Sequence, residues 1–419
     1  MYHLMMADSE EVIECRLCKG QVQPVFNFGS IYMTGVFAEH GMSVERAPVV
    51  YGMCSNCGLN QLMHNYDSDV LYGSSYGYES HLNPEMRGHL KHKAKLLERR
   101  FLYESNPRIL DIASNDGTFL SFFSPKVAKV GIDPLIGIVG DYYPANSTKI
   151  VSFFSDEGVL ASTNGELFDL VTSNSVLYDL ESPLDFAKGV FRVLKNGGIW
   201  HFEQSYLPKM VETLSIDTIC HEHLLYLGAT QIHKLLRESG FQLLEASLND
   251  VNGGSIAITA VKEENWKGET NAFFDYLLKK EKREGYLSGH RISRFFEDAE
   301  IFKGDLLELV DSYSKSGHTI FGIGASTKGN MLLQFCGLNQ NAISKIGEIN
   351  PKKFGKQTPG TSIPICDEKE LLEEMACEKS IGVVFPWHFR NSIRKATSDY
   401  VSRGGKILFP LPNLEIETL

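Results

Sequence analysis

Apolar and polar positions along the chain fall into three regimes. Up to about Glu79 the apolar residues come in short bursts broken by glycines and by two CxxC pairs, which predicts short strands and turns with few helices. From Asn83 the stretch PEMRGHLKHKAKLLERRFLYE repeats its apolar residues at helical spacing. The runs RILDIA, KVGID, DLVTSNSV and GIWHFE follow, separated by helical spacers such as Leu184 to Leu194. Strands that alternate with helices predict a doubly wound, parallel sheet. Between Asn271 and Gly317 a charge-rich, glycine-poor stretch predicts one or two connecting helices. Strand and helix then alternate again through HTIFGIG, a helix from Thr327, AISKIGEI, a helix from Asp367, SIGVVF, a helix from Arg390, and GKILFP. The expected fold class is α/β in three domains: a cysteine-bearing module over 1–80, a Rossmann-like domain over 81–266, and a second Rossmann-like domain over 267–419 led by the helical connector.

Composition narrows the function classes. At 419 residues, with 43% hydrophobic and 22% charged residues, the chain is long enough for several buried cores and too apolar to be disordered. A net charge of -11 argues against binding the phosphate backbone of nucleic acids. No apolar run is long enough to span a bilayer, and the start, MYHLMMADSEEVIEC, has neither the basic flank nor the apolar stretch of a signal peptide. The expectation is a cytoplasmic protein with no membrane partner, more simply a monomer than an oligomer.

Four of the eight cysteines pair up as Cys15/Cys18 and Cys54/Cys57, whereas Cys220, Cys336, Cys366 and Cys377 are scattered. Each CxxC turn lets two thiolates converge, and two such turns complete the closed tetrahedral site that suits structural zinc. A redox dithiol is the alternative.

The second motif is ILDIASNDGTFL, from Ile109 to Leu120. A strand ending at Asp111 and a small-residue turn through Ala113, Asn115, Asp116 and Gly117 would let the backbone approach a ligand at the carboxyl edge of the sheet. The next strand ends in Asp133, where an acid can accept hydrogen bonds from ribose hydroxyls. A glycine-poor, acidic turn suits the cationic methionyl part of S-adenosylmethionine (SAM) better than a pyrophosphate. An ordinary strand-to-helix turn is the plainer reading. Phe153 and Asn174 would line the same crevice, although Phe153 and Phe154 could equally be core.

Chemistry is expected in ICHEHLLYLG, where His221, Glu222 and His223 are adjacent. An imidazole titrates near neutrality and a neighbouring carboxylate can orient it, so the cluster offers a general base. A metal site is the competing reading. YGSSYGYESHLN gathers Tyr76, Tyr78 and Asn83 at the first domain junction, as hydrogen-bond donors to a substrate or as a tyrosine-rich contact. FGIGASTKGNMLL and INPKKFGKQTPGTSIPI place Lys328, Asn330 and Lys352 at strand ends, where they could hold a diphosphate.

Taken in order, CRLC with CSNCG, YGYES-LN, LDIASNDGT, HEHLLYL, NGGS, GIGASTKGN, NPKKFGKQTPGTSIPI and FPWHF resemble the SAM-dependent nucleotide-sugar C-methyltransferases over nearly the whole chain. The resemblance implies a zinc-binding domain, a SAM domain and a C-terminal Rossmann-like domain, with a nucleotide-linked 4-keto-6-deoxy sugar as substrate. It implies that a base removes the proton beside the ketone, usually at C-3, and that the enolate takes the methyl group of SAM. By position His223 matches the base, Glu222 its acidic neighbour, and Tyr76 or Tyr78 the tyrosine near the sugar. Tyr78, Asn83, His221, Asn252, Lys328, Asn330 and Lys352 become the candidate substrate contacts. The chain departs from the family pattern at Cys220, where relatives often have tyrosine, at Asn252, where they often have histidine, and in GASTKGN. Two other readings are a SAM-dependent methyltransferase of an oxygen or of a non-sugar carbon acid, and a non-catalytic zinc and Rossmann scaffold.

Overall fold

Alternate residues of the central strands point into two separate apolar layers, and this organises the molecule. The computed structural model describes residues 9–73, 77–263, 271–376 and 379–418; Tyr76 and Cys377 lie outside the described residues. The N-terminal part carries antiparallel strands β1 (Val22–Tyr32), β2 (Arg46–Cys54) and β3 (Asn60–Leu62). Alternation along β2 buries Ala47, Val49 and Tyr51 on one face. The sheet gains a fourth strand, Leu225–Tyr226, from the middle of the chain.

Helix α1 (Pro84–Phe101) starts where Asn83 Oδ1 accepts the amides of Glu85 and Met86 at 2.9 and 3.1 Å, with Pro84 in the first turn. Strands β4 (Arg108–Ile112), β5 (Ala128–Ile132), β6 (Thr148–Ile150), β7 (Phe168–Asn174), β8 (Leu194–Ser205), β9 (Gln242–Asn249) and β10 (Ser255–Val261) form one sheet in the order β9-β10-β8-β7-β4-β5-β6. All pair in parallel except β10, which is antiparallel to both neighbours. Ile109, Leu170 and Ile199 meet Met86, Leu90, Ala94 and Leu97 of α1 on one face. Leu110, Val171, Trp200 and Phe202 join the larger core on the other, with the helices Pro183–Val193 and Ala229–Ser239.

The predicted connector is two helices, α2 (Ala272–Arg283) and α3 (His290–Lys315). They part at Gly285 and Gly289, whose φ values of 80° and 78° end one helix and precede the next. Beyond them β11 (Thr319–Ile323), β12 (Ile346–Glu348), β13 (Ile365–Asp367), β14 (Ser380–Val384), β15 (Lys406–Phe409) and β16 (Glu415–Glu417) form a second sheet in the order β13-β12-β11-β14-β15-β16, parallel except for β16. Helix α4 (Thr327–Cys336) opens at the end of β11, with Ser326 Oγ accepting the Gly329 amide at 2.9 Å.

The three parts interlock. Ala38–Glu39 pairs with Lys356–Gln357. The Gln334 side chain completes the end of β1 by bonding both the amide and the carbonyl of Tyr32, at 2.8 and 3.1 Å. Phe26 stacks on Phe296 of α3 at 4.5 Å. No helix among the described residues is long and apolar enough to cross a membrane.

Candidate active site

The four cysteine sulfurs of the two CxxC turns lie within 4.8 Å of one another, with Cys15–Cys57 at 3.6 Å and Cys18–Cys54 at 3.5 Å. An ion about 2.3 Å from each of four tetrahedral thiolates needs sulfurs at about this spacing. The amides of Leu17 and Cys18 point at Cys15 Sγ, and those of Asn56 and Cys57 at Cys54 Sγ, which favours the thiolate form. Gly20 leaves room for the cluster: a Cβ there would lie 3.3 Å from both Cys18 and Cys54 Sγ. Among the described residues no other group of ligating side chains converges in this way.

In the middle sheet the strand order reverses between β4 and β7, so the crevice for a ligand lies at their carboxyl ends. Asp111 is buried there and accepts the Thr172 hydroxyl at 2.6 Å, and burial pushes its carboxyl up to about 7. Asp133, at the end of β5, accepts the amides of Asn115 (2.9 Å) and Leu135 (2.7 Å), while burial raises its pKa. Ala113 is exposed with a φ of 55°, and Phe153 is 47% exposed beside the Tyr72 ring. Two buried carboxylates beside an exposed backbone turn and an exposed aromatic ring are a donor set that fits the ammonium, ribose and adenine of SAM.

Asn115, Asp116 and Gly117 have protein partners. Asn115 holds the amide of Ser80 and the carbonyl of Tyr78, at 3.1 and 3.2 Å. Asp116 Oδ2 takes both the amide and Nδ1 of His81, at 3.0 and 2.9 Å. Gly117 (φ 81°) makes way for Tyr143, whose ring lies 2.4 Å from where a Cβ would stand. This turn therefore fastens the segment 78–81 over the sheet edge. The other end of that segment is fastened to the C-terminal part: Asn350 Nδ2 donates to the Gly77 carbonyl at 3.1 Å, and Lys352 Nζ meets Glu79 Oε1 at 2.7 Å. Tyr78, 43% exposed, projects from the strap so formed, while Asn83 is occupied as the N-cap of α1.

The three residues of the HEH run diverge. His221 is instead wholly buried, edge-on to Tyr66 at 4.9 Å, which leaves it no surface for a substrate. Glu222 is buried with its Oε2 accepting the Thr34 hydroxyl at 3.2 Å, and burial raises its pKa. His223 is half-buried, edge-on to Tyr178 at 4.4 Å, with Nδ1 at 2.7 Å from the Thr218 carbonyl oxygen. Burial and the charge of Lys328 hold its pKa down to about 4. Such divergence suits one base with supports and cannot serve one metal ion.

The switch-point loops of the C-terminal sheet close on the turn Asn252–Gly254. Lys328 Nζ donates to the Asn252 carbonyl at 2.9 Å, Trp387 packs against Gly253, and Trp387 Nε1 donates to Asp217 at 2.9 Å. Positive φ at Asn252 (55°), Gly253 (91°) and Gly254 (128°) makes this tight approach possible. Asn330 Nδ2 donates to the Thr34 carbonyl at 2.7 Å.

Sequence reasoning missed a buried ionic group at the carboxyl ends of β7 and β8. Lys93 Nζ meets Glu203 Oε1 at 2.8 Å and Asn174 Oδ1 at 2.6 Å; His89 and Asn249 complete it on Glu203, at 2.6 and 2.8 Å. Its signal was Lys93 itself, a charge inside the apolar stripe of α1.

Three family models match the chain in series: a zinc binding domain over residues 15–72, a methyltransferase domain over residues 80–246, and a C-methyltransferase C-terminal domain over residues 250–412. The C-methyltransferase NovU of Streptomyces niveus is 26% identical over 409 residues, which cover 95% of this chain and 95% of that protein. The chain is a SAM-dependent C-methyltransferase. The methyltransferase takes SAM as methyl donor and carries zinc in its four-cysteine site. It is also similar to the N-methyltransferase NodS of Bradyrhizobium japonicum WM9, at 17% identity and a TM-score of 0.33, over 43% of this chain and 98% of that one. An O-methyltransferase family protein of Burkholderia thailandensis matches at 12% identity and a TM-score of 0.32, over 43% of this chain and 58% of that one.

Proposed function

We propose that the methyltransferase acts on a nucleotide-linked 4-keto-6-deoxy sugar and methylates the carbon beside the ketone, C-3, with His223 as the base. The observation that carries this reading is the state of His223. A carbonyl oxygen only accepts, so Nδ1 bears the proton it gives to Thr218, and Nε2 keeps a lone pair with no partner among the described residues. A pKa near 4 keeps that lone pair free at neutral pH. Resonance into the ketone acidifies the neighbouring C–H, so a neutral imidazole can remove the proton when donors meet the oxygen.

SAM, when bound, supplies an electrophilic methyl group. The chain's part is to hold the acceptor carbon in line and to take one proton onto His223 Nε2, while Thr218 keeps the ring in place. Asp111, Ala113, Asp133, Phe153 and Asn174 line the proposed donor site, with Asn115, Asp116 and Gly117 building its turn. Tyr78 and Tyr76 are the phenols assigned to the sugar, with Asn252, Lys328 and Lys352 toward the nucleotide. Asn83, His221 and Asn330 act by supporting their neighbours.

Calorimetric titration with S-adenosylhomocysteine, then with thymidine, guanosine and cytidine diphosphates, tests the reading. Binding of the homocysteine product and of one diphosphate is expected. If no diphosphate binds, methyl transfer stands and the sugar-nucleotide assignment falls.

A further inference from the structure

Glu222 sits in a slot built by a distant part of the chain. Its Oε2 accepts the Thr34 hydroxyl at 3.2 Å, and its Oε1 lies 2.5 Å from where a Cβ on Gly35 would stand, so any side chain at that position would displace the carboxyl group. Thr34 is wholly buried and its main-chain oxygen takes the Asn330 amide at 2.7 Å. Thr34 follows β1 of the N-terminal part, Glu222 belongs to the middle part, and Asn330 to α4 of the C-terminal part. Three parts of the chain therefore meet at one carboxyl group.

No lysine, arginine or histidine among the described residues forms an ion pair with Glu222; the titratable groups that face it are the Cys220 thiol, which also hydrogen-bonds the carboxyl group, Asp179 and Tyr66, so hydrogen bonding and packing hold it. One residue on, the turn closes with the His223 amide on the Cys220 carbonyl at 3.0 Å. The β1–β2 ribbon links this slot to the zinc site, since Val22 pairs with Cys54 at one end and Tyr32 with Arg46 at the other.

We infer that Thr34 is a positioning residue for the reaction: its hydroxyl fixes the Glu222 carboxyl group and, through it, the Cys220–His223 turn that presents the base. Asn330 acts one step further out by holding Thr34. The zinc-bearing part is thereby a component of the active site as well as a folded support. The inference rests on the roles proposed for Glu222 and His223.

The test uses the full, zinc-loaded protein and compares Thr34→Val, Thr34→Ser, Asn330→Ser and Glu222→Gln. Loss of one buried hydrogen bond to the carboxyl group should lower kcat of T34V by about tenfold. KM, homocysteine-product affinity and zinc content should stay at wild-type values, and T34S should recover most of kcat. The hydroxyl stabilises ionised Glu222, so the acid limb of kcat in T34V should move to higher pH. N330S should lower kcat in the same sense, which keeps the inference testable if T34V does not fold. Wild-type kcat in T34V or in N330S, with E222Q impaired, overturns the inference and leaves the role of Glu222. Wild-type rates in E222Q as well remove the proposed catalytic roles. A T34V defect that comes with lost zinc and is not recovered by T34S makes Thr34 a scaffold residue only, and also overturns it.

Discussion

His223 gives its Nδ1–H to the main-chain oxygen of Thr218 across 2.7 Å, and this one bond sets what the imidazole can do. It selects the tautomer with a free Nε2, fixes the ring plane, and leaves a place for positive charge if Nε2 takes a proton.

Replacing His223 by alanine should lower kcat by about 10² to 10⁴, the usual contribution of a positioned base. Affinity for S-adenosylhomocysteine should change less than about twofold, because the base and the donor site lie on different elements. Steady-state kinetics with calorimetry checks both halves.

Asp111 should make SAM binding depend on pH. Its carboxyl is pushed up to about 7 by burial, and a cationic ligand favours the ionised form. The Kd for SAM should therefore fall as pH rises through about 7. Asp111→Asn should bind more weakly and show a flat profile over the same range, measured by titration at several pH values.

The zinc site should carry folding energy. Cys15→Ser removes one of four thiolates at a buried position, and zinc content and Tm should drop together. Chelation of the wild-type protein should lower Tm in the same way, read by metal analysis and calorimetry. A variant with full zinc and unchanged melting would refute the four-cysteine assignment.

Acid should destabilise the fold through histidines buried in the neutral form. His201 and His221 have pKa values held down to about 3 and about 4 by burial. Unfolded histidine titrates near 6.5, so between that pH and about 4 these two positions bind more protons in the unfolded chain than in the native one. The contribution of each is full above about pH 6.5 and falls by the order of 3 kcal/mol as pH drops to about 4, about 6 kcal/mol for the two, against an opposite contribution from the raised Asp111 carboxyl. Denaturant unfolding at constant ionic strength measures it.

How much of this was legible in the sequence depends on the range of the contact. The CxxC pairs could be read because each places two thiolates within one turn, and the central strands because their apolar runs are local. The cap at Asn83 and the helix break at Gly285 involve only near neighbours, yet in the sequence Asn83 reads as a substrate contact and the connector as one or two helices with no break placed. The strand Leu225–Tyr226 was not legible, since two residues carry no period and its partner β3 lies far away in the chain. Nor were the partners of Asn115 and Asp116: an acidic turn looks the same whether it faces a ligand or the backbone of Ser80 and His81. The HEH run read as one cluster, but adjacent residues diverge, and only the packing of Tyr66, Thr34 and Thr218 sends each side chain its own way.

The most direct test follows the proton. The wild-type protein and His223→Ala, each with S-adenosylhomocysteine and a nucleotide-linked 4-keto-6-deoxy sugar in deuterium oxide, are observed by proton magnetic resonance. The account predicts that the signal of the C–H beside the ketone disappears with wild-type protein and persists, apart from the slow exchange seen without protein, with His223→Ala. Equal exchange in the two proteins, or methyl transfer to that carbon from SAM at an undiminished rate in His223→Ala, would contradict it.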